Sequence, residues 1–134
     1  MELYALNPWI INIFLVLGSI FFVELVRDLY HVVSHIWSPL YKWHGWHHRV
    51  FRRDYTTVST EIYQKATWYH DVPESLVMLT FGMLFWGLFF VWIPSYKWAT
   101  LAGVVYTLTL FFPATARAIG ISNVCLLYTS DAAD

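Results

Sequence analysis

The chain has 134 residues, of which 58% are hydrophobic, 20% aromatic and only 13% charged, and its formal net charge is −1. Soluble domains carry roughly 25% charged residues, so this composition excludes an ordinary soluble globule and predicts that lipid covers much of the surface. A charge so close to zero gives no indication of nucleic-acid binding.

Three long apolar segments predict transmembrane helices: Trp9–Val26, Leu76–Ile93, and Trp98–Pro113 with its continuation to Arg117. About 20 apolar residues span the hydrocarbon layer. The turn residues 94–97 are expected to join the second and third segments as a hairpin. We therefore predict an all-α integral membrane protein with about three transmembrane helices plus a cytosolic helical segment. Glu24, inside the first segment, is expected to face protein rather than lipid.

The polar segment 27–75 separates the first two spans and contains six of the eight basic residues: Arg27, Lys42, Arg49, Arg52, Arg53 and Lys65. By the positive-inside rule this segment faces the cytoplasm and the 94–97 turn faces the opposite side. One predicted span precedes this segment, and because that number is odd, a further span upstream of the sequence is left open.

All six histidines lie in this polar segment, and five of them form two groups: His31 and His35, then His44, His47 and His48. Helical residues three or four positions apart lie on one face, about 5–6 Å apart at Cβ. Each group can therefore converge on a metal ion. Pro39 lies between the groups and is expected to end the first helix, which lets the two faces meet.

Metal binding explains such a cluster best, because neutral imidazole suits iron, zinc, copper and nickel. Five imidazoles exceed the three protein ligands of a catalytic zinc and approach what a dinuclear site needs. Asp28, one helical turn before His31, is the first candidate for a carboxylate that accepts the remaining N–H of a ligating histidine. His70 is either a sixth ligand or a polar residue at a helix end. Asp71 and Glu74 fit a cap at the helix start before the second span, and we favour that interpretation over a metal role for them.

The segments DLYHVVSH and WHGWHH resemble the first two of three histidine motifs, HxxxH and HxxHH, of the fatty acid hydroxylase/sterol desaturase superfamily. The resemblance extends over residues 9–124, and its specific part is 28–48. It implies a membrane helical core whose cytoplasmic side carries two iron ions, with zinc as a possible substitute. The ligands would be His31, His35, His44, His47 and His48. A second HxxHH motif is absent from this sequence and is expected downstream.

The resemblance also implies a function: dioxygen-dependent hydroxylation or desaturation of a membrane lipid, with a fatty acyl, sterol-like or carotenoid substrate. Electrons would come from a partner such as ferredoxin or cytochrome b5, because the chain has no flavin or nicotinamide motif. A carotenoid hydroxylase or ketolase is a rival within the enzyme class. The alternative outside that class is a non-catalytic membrane protein that binds metal or haem, since an HxxxH pair alone can also ligate haem.

The last ten residues, CLLYTSDAAD, break the apolar pattern with a polar ending. The decapeptide also reads as the translation of a transposase-type sequencing adapter. A genuine polar terminus is the other interpretation. We expect residues 1–124 to be a partial membrane domain, inactive alone, and 125–134 to be foreign to it.

Overall fold

The computed structural model describes residues 7–53, 56 and 58–121, so the predicted adapter tail lies outside the described residues. The described chain forms the helices α1 (Pro8–Ile36), α2 (Ser38–His47), α3 (Thr60–Ala66), α4 (Val72–Trp92), α5 (Lys97–Thr100) and α6 (Ala102–Ala118). A π-helical turn, Thr67–Asp71, joins α3 to α4, and a 3-10 turn, Pro94–Tyr96, precedes α5. The prediction of an all-α protein is confirmed.

Three helical stretches are long and apolar enough to cross a membrane: Pro8–Ile36, Thr60–Trp92 and Pro94–Ala118. They contain the first and third predicted spans and all of the second except its last residue, Ile93. The first is longer than its apolar segment, because α1 continues past the hydrocarbon-length part and includes His31 and His35. Its end at Ile36 agrees with the predicted break, and Pro39 lies in the first turn of α2, where a missing backbone N–H costs nothing.

The helix before the second span begins at Thr60, earlier than the sequence predicted. Its N-cap is Ser59, whose hydroxyl accepts the Ile62 N–H at 3.2 Å. The expectation that Asp71 caps this helix is therefore wrong: Asp71 lies inside a continuous helical stretch, Thr60–Trp92, at the end of the π turn. The pattern of a proline between two carboxylates is typical of a helix start. It also fits a helix interior when the turn before the proline is π-helical, as it is here.

Pro73 provides a physical reason for that widened turn. A proline inside a helix lacks an N–H, and its ring collides with the carbonyl four residues earlier. Here the Val72 N–H donates to the Thr67 carbonyl, five residues earlier, which is the π-helical pattern. The extra residue lets the helix continue through Pro73 and changes the directions in which His70 and Asp71 point.

The described chain divides into two compact units. The first contains residues 7–29 with 75–110, and here α1 contacts both α4 and α6. The Gly103 N–H donates to the Ser19 hydroxyl at 3.0 Å. The Tyr106 hydroxyl donates to Glu24 at 2.5 Å, and Glu24 also pairs with Arg27 at 2.8 Å. Glu24 thus contacts protein, as predicted.

The second unit contains the described residues between 30 and 74 and those from 111 to 121. In it α2, α3 and the π turn pack against one another. Backbone hydrogen bonds from Arg52 N–H to Thr56 O and from Val58 N–H to Val50 O close the loop between α2 and α3. The last turn of α6 supplies Arg117, whose side chain is 7% exposed. All six histidines belong to this unit.

Candidate metal centre

Three helical pieces of the second unit position the histidines. The end of α1 provides His31 and His35, the second half of α2 provides His44 and His47, and the π turn provides His70. His48 follows α2 but keeps a helical backbone, with φ −65° and ψ −14°. The i, i+4 relation between His44 and His48 therefore holds beyond the end of α2.

Four imidazoles converge through the same ring atom. The Nε2 atoms of His31 and His35 are 3.2 Å apart, those of His35 and His44 are 3.1 Å apart, and those of His44 and His48 are 2.8 Å apart. A neutral imidazole has one N–H, so each ring can donate only one hydrogen bond. Two nitrogens bound at right angles to one ion, each about 2.1 Å from it, lie about 3 Å apart. The observed spacing fits shared metal ligation.

His44 lies at the centre of the cluster and is 1% exposed. Its second ring nitrogen, Nδ1, is 3.3 Å from Nδ1 of His70. Burial, followed by the neighbouring charges of His48, His31, His35 and His47, lowers the pKa of His44 to about 3. The ring is therefore neutral at physiological pH, which is the form that binds metals.

His70 joins the cluster as its sixth imidazole. It is 1% exposed, and its ring centroid is 4.6 Å from that of His44 and 4.5 Å from that of His47. The buried Nε2 of His70 has no hydrogen-bond partner among the described residues. An unsatisfied buried polar atom is costly, and a metal ion at this position would satisfy it.

The donors form three groups whose ligand atoms all lie within 4.8 Å of one another: His31, His44 and His70; His35, His44 and His48; and His47, His70 and Asp71. The five predicted ligands and His70 all belong to at least one group. For Asp71 the sequence favoured a helix cap over a metal role, because its context fits a helix start. The donor set suits iron, and equally zinc, since it is dominated by neutral imidazole.

Asp28, the predicted hydrogen-bond partner of a ligating histidine, lies at the surface. Its side chain is 68% exposed and forms an ion pair with Arg27 at 3.3 Å. Its role beside the histidines stays a prediction. Asp71 instead lies next to His70 in sequence and within 3.7 Å of the Arg117 guanidinium. The sequence alone does not predict this ion pair, because Asp71 and Arg117 lie far apart along the chain.

A groove of about 610 Å³ opens on one side of the cluster and is lined by His31, His35, Tyr41 and His48. Three of its four lining residues belong to the chain of converging Nε2 atoms. A small polar group that enters this groove would therefore reach the imidazole cluster directly. The phenol of Tyr41 supplies a further hydrogen-bond donor and acceptor at the same place.

No protein-family model and no solved structure matches the chain. Among curated proteins the chain is similar to monoglucosyldiacylglycerol epimerase from Synechocystis sp. (strain ATCC 27184 / PCC 6803 / Kazusa), with 54% identity over 119 residues. The match covers 86% of this chain and 29% of the relative. The chain thus spans less than a third of that relative's length. A stretch that long includes the central residues of this chain, and with them all six histidines.

Proposed function

We propose that this chain carries the metal centre of a membrane enzyme that acts on a glycerolipid, with two iron ions held by the histidine cluster. The observation that carries the proposal is the convergence of six imidazoles, with His44 and His70 at its buried centre. Such a concentration of neutral ligands at the end of an apolar helix has few structural uses.

His31, His35, His44, His47, His48 and His70 would hold the metal. Iron bound there supplies redox and Lewis-acid chemistry at a C–H or O–H group. The chain's own contribution is to keep His44 neutral and to exclude water from the centre. Its groove beside His48 admits a polar group of the substrate.

The proposed substrate is a monoglucosyldiacylglycerol or a lipid of similar build, and the proposed reaction is inversion of one stereocentre of its sugar. Support comes from the name of the relative and from 54% identity through the region of the histidines. The groove beside the cluster adds support, because its histidine and tyrosine lining suits a sugar hydroxyl better than an acyl chain. In an epimerisation one C–H bond breaks and forms again on the opposite face, so neither oxidant nor reductant is consumed overall.

Dioxygen-dependent hydroxylation or desaturation of a lipid is the second candidate. The six-histidine donor set favours it, because the histidine-motif resemblance implies that chemistry. This reaction consumes dioxygen and two electrons, so it needs a donor such as ferredoxin or cytochrome b5. A carotenoid substrate is a variant of the same candidate.

The two candidates differ in the mass of the product. A full-length protein that contains this chain would be placed in vesicles that contain monoglucosyldiacylglycerol, loaded with iron, and assayed with and without dioxygen and reductant. Epimerisation gives a lipid of unchanged mass and a different sugar, whereas hydroxylation adds one oxygen atom and desaturation removes two hydrogens. Formation of oxidised lipid alone would favour the second candidate.

Alanine variants test the metal assignment within the same assay. Replacement of His31, His35, His44, His47 or His48 is expected to lower product formation at least tenfold and to reduce the bound iron. The control is Thr80→Ala, on the exposed side of α4, whose hydroxyl donates to the Leu76 carbonyl of its own helix. Wild-type product formation in all five histidine variants refutes the proposal, and a Soret band in purified protein would point to haem instead.

A further inference from the structure

The three donor groups cannot all be occupied at once, because they share residues. The group of His31, His44 and His70 shares a histidine with each of the other two. A metal ion in it would therefore take His44 from one group and His70 from the other. The remaining two groups have no residue in common: one is His35, His44 and His48, and the other is His47, His70 and Asp71.

We propose that Asp71 is a metal ligand, so that the centre consists of one ion bound by His35, His44 and His48 and a second ion bound by His47, His70 and Asp71. This inference rests on the proposed two-metal function and names a ligand that the histidine pattern does not contain. His31 lies beside the first group, because its Nε2 is 3.2 Å from that of His35. Every histidine of the cluster then has a place.

The second ion differs chemically from the first. Its site combines two imidazoles with one carboxylate, and a carboxylate ligand reduces the net charge of a buried dication. The buried Nε2 of His70 also gains a partner there, since it has none among the described residues. Oxygen ligands shift the preference of a site toward iron and manganese and away from soft metals.

Arg117 acts as a positioning residue for Asp71. Its guanidinium is 3.7 Å from Asp71 Oδ2, is almost fully buried, and lies 6.0 Å from the centroid of the Tyr63 ring. Its Nε and Nη1 atoms have no hydrogen-bond partner among the described residues, so the pair with Asp71 carries much of the compensation for its buried charge. A carboxylate has two oxygens, and one can face Arg117 while the other faces the ion.

Metal stoichiometry tests the assignment independently of activity. The full chain in detergent would be titrated with Co²⁺ and with Fe²⁺ under anaerobic conditions, with elemental analysis of the bound metal and the Co²⁺ absorption spectrum as readouts. We expect two ions for the wild type and one for Asp71→Asn. Glu61→Gln is the matched control, because Glu61 also pairs with a cation, Lys65 at 2.8 Å, but is 76% exposed. It should bind two ions.

Arg117→Met separates positioning from ligation. It should keep the first ion and bind the second roughly 10- to 100-fold more weakly, the range found when outer-shell partners are removed. Arg117→Lys should recover part of that affinity. An unchanged second ion in Arg117→Met contradicts the positioning role.

The outcomes distinguish this inference from the proposed function. A wild type that binds two ions and an Asp71→Asn variant that also binds two with equal affinity overturn the role of Asp71 alone. A wild type that binds fewer than two ions overturns the two-metal function as well. If Asp71→Asn fails to fold, Asp71→His decides: it restores a ligand, and absence of the second ion in it overturns the assignment.

Discussion

At the residue scale, His44 lies at the centre of the histidine cluster and would connect the two halves of the proposed metal centre. Its Nε2 lies 3.1 Å from that of His35 and 2.8 Å from that of His48, while its Nδ1 lies 3.3 Å from Nδ1 of His70. A ring that uses both nitrogens inside a buried cluster has no nitrogen left for water. Its protonation state therefore depends on the cluster and on bound metal.

Acid should destabilise the metal-free protein through His44. Its pKa is about 3 in the folded chain against about 6.5 when unfolded, so between these values the unfolded state binds the extra proton. The contribution of His44 is fully present above about pH 6.5 and is lost as the pH falls toward 3, with a slope of at most about 1.4 kcal/mol per pH unit. Thermal unfolding in detergent at pH 7.5, 6, 5 and 4 measures it.

His44→Asn is the comparison for that measurement, because asparagine does not titrate in this range. The variant is expected to unfold at a lower temperature at pH 7.5 but to lose less further stability on acidification than the wild type. Parallel pH curves for the two proteins would contradict the assignment to His44.

Single residues of the site differ in how far the sequence could predict them. Local spacing identified His31, His35, His44, His47 and His48, because i, i+3 and i, i+4 positions converge in any helix. His70 remained undecided, since its contact with His44 joins residues 26 positions apart. The position of Asp28 one turn before His31 predicts a contact with that histidine, but helical periodicity does not predict the exposed ion pair that Asp28 forms with Arg27.

At the element scale, the contact between α1 and α6 depends on two small residues. Ser19 is 1% exposed, and its hydroxyl accepts the Gly103 N–H while donating to the Val16 carbonyl at 2.9 Å. A Cβ on Gly103 would collide with the Ser19 carbonyl oxygen, which is backbone and cannot rotate away. Close approach at small residues is a general basis of helix association in membranes.

Gly103→Ala should therefore destabilise the helix packing by about 1–3 kcal/mol, the usual cost of overpacking. Gly87→Ala is the matched control, because a Cβ there meets nothing within 4 Å, and alanine favours a helix more than glycine does. Unfolding of both variants in detergent, followed by circular dichroism, measures the difference. Equal stability of the two variants would mean that the close contact contributes nothing.

The π turn shows which part of an element the sequence could not predict. The apolar run from Leu76 predicted the second span, and α4 confirms it to within one residue at its end, Trp92. The helix start was misjudged because Asp71, Pro73 and Glu74 together match a helix beginning. A π turn accommodates the same residues inside a continuous helix. The choice between a helix start and a π turn depends on the tertiary packing of α2, α3 and the π turn.

At the scale of the whole molecule, composition already determined the class of protein. Few charges and three apolar segments require a lipid environment, and the three stretches Pro8–Ile36, Thr60–Trp92 and Pro94–Ala118 agree with that. The number of spans follows from segment length alone. Which side of the membrane the histidines occupy does not follow from length, so it stays a prediction from charge.

The distribution of charge predicts that Arg52 and Ser95 lie on opposite sides of the membrane. Arg52 belongs to the basic segment between the first two spans, and Ser95 lies in the turn after the second; both are exposed. In a Cys125→Ser background, Ser95→Cys should react with a membrane-impermeant maleimide added to intact cells. Arg52→Cys should react only after permeabilisation, because lysine- and arginine-rich loops stay in the cytoplasm. The reverse labelling pattern would place the histidine cluster outside, and labelling of both sites in intact cells would contradict a second span between them.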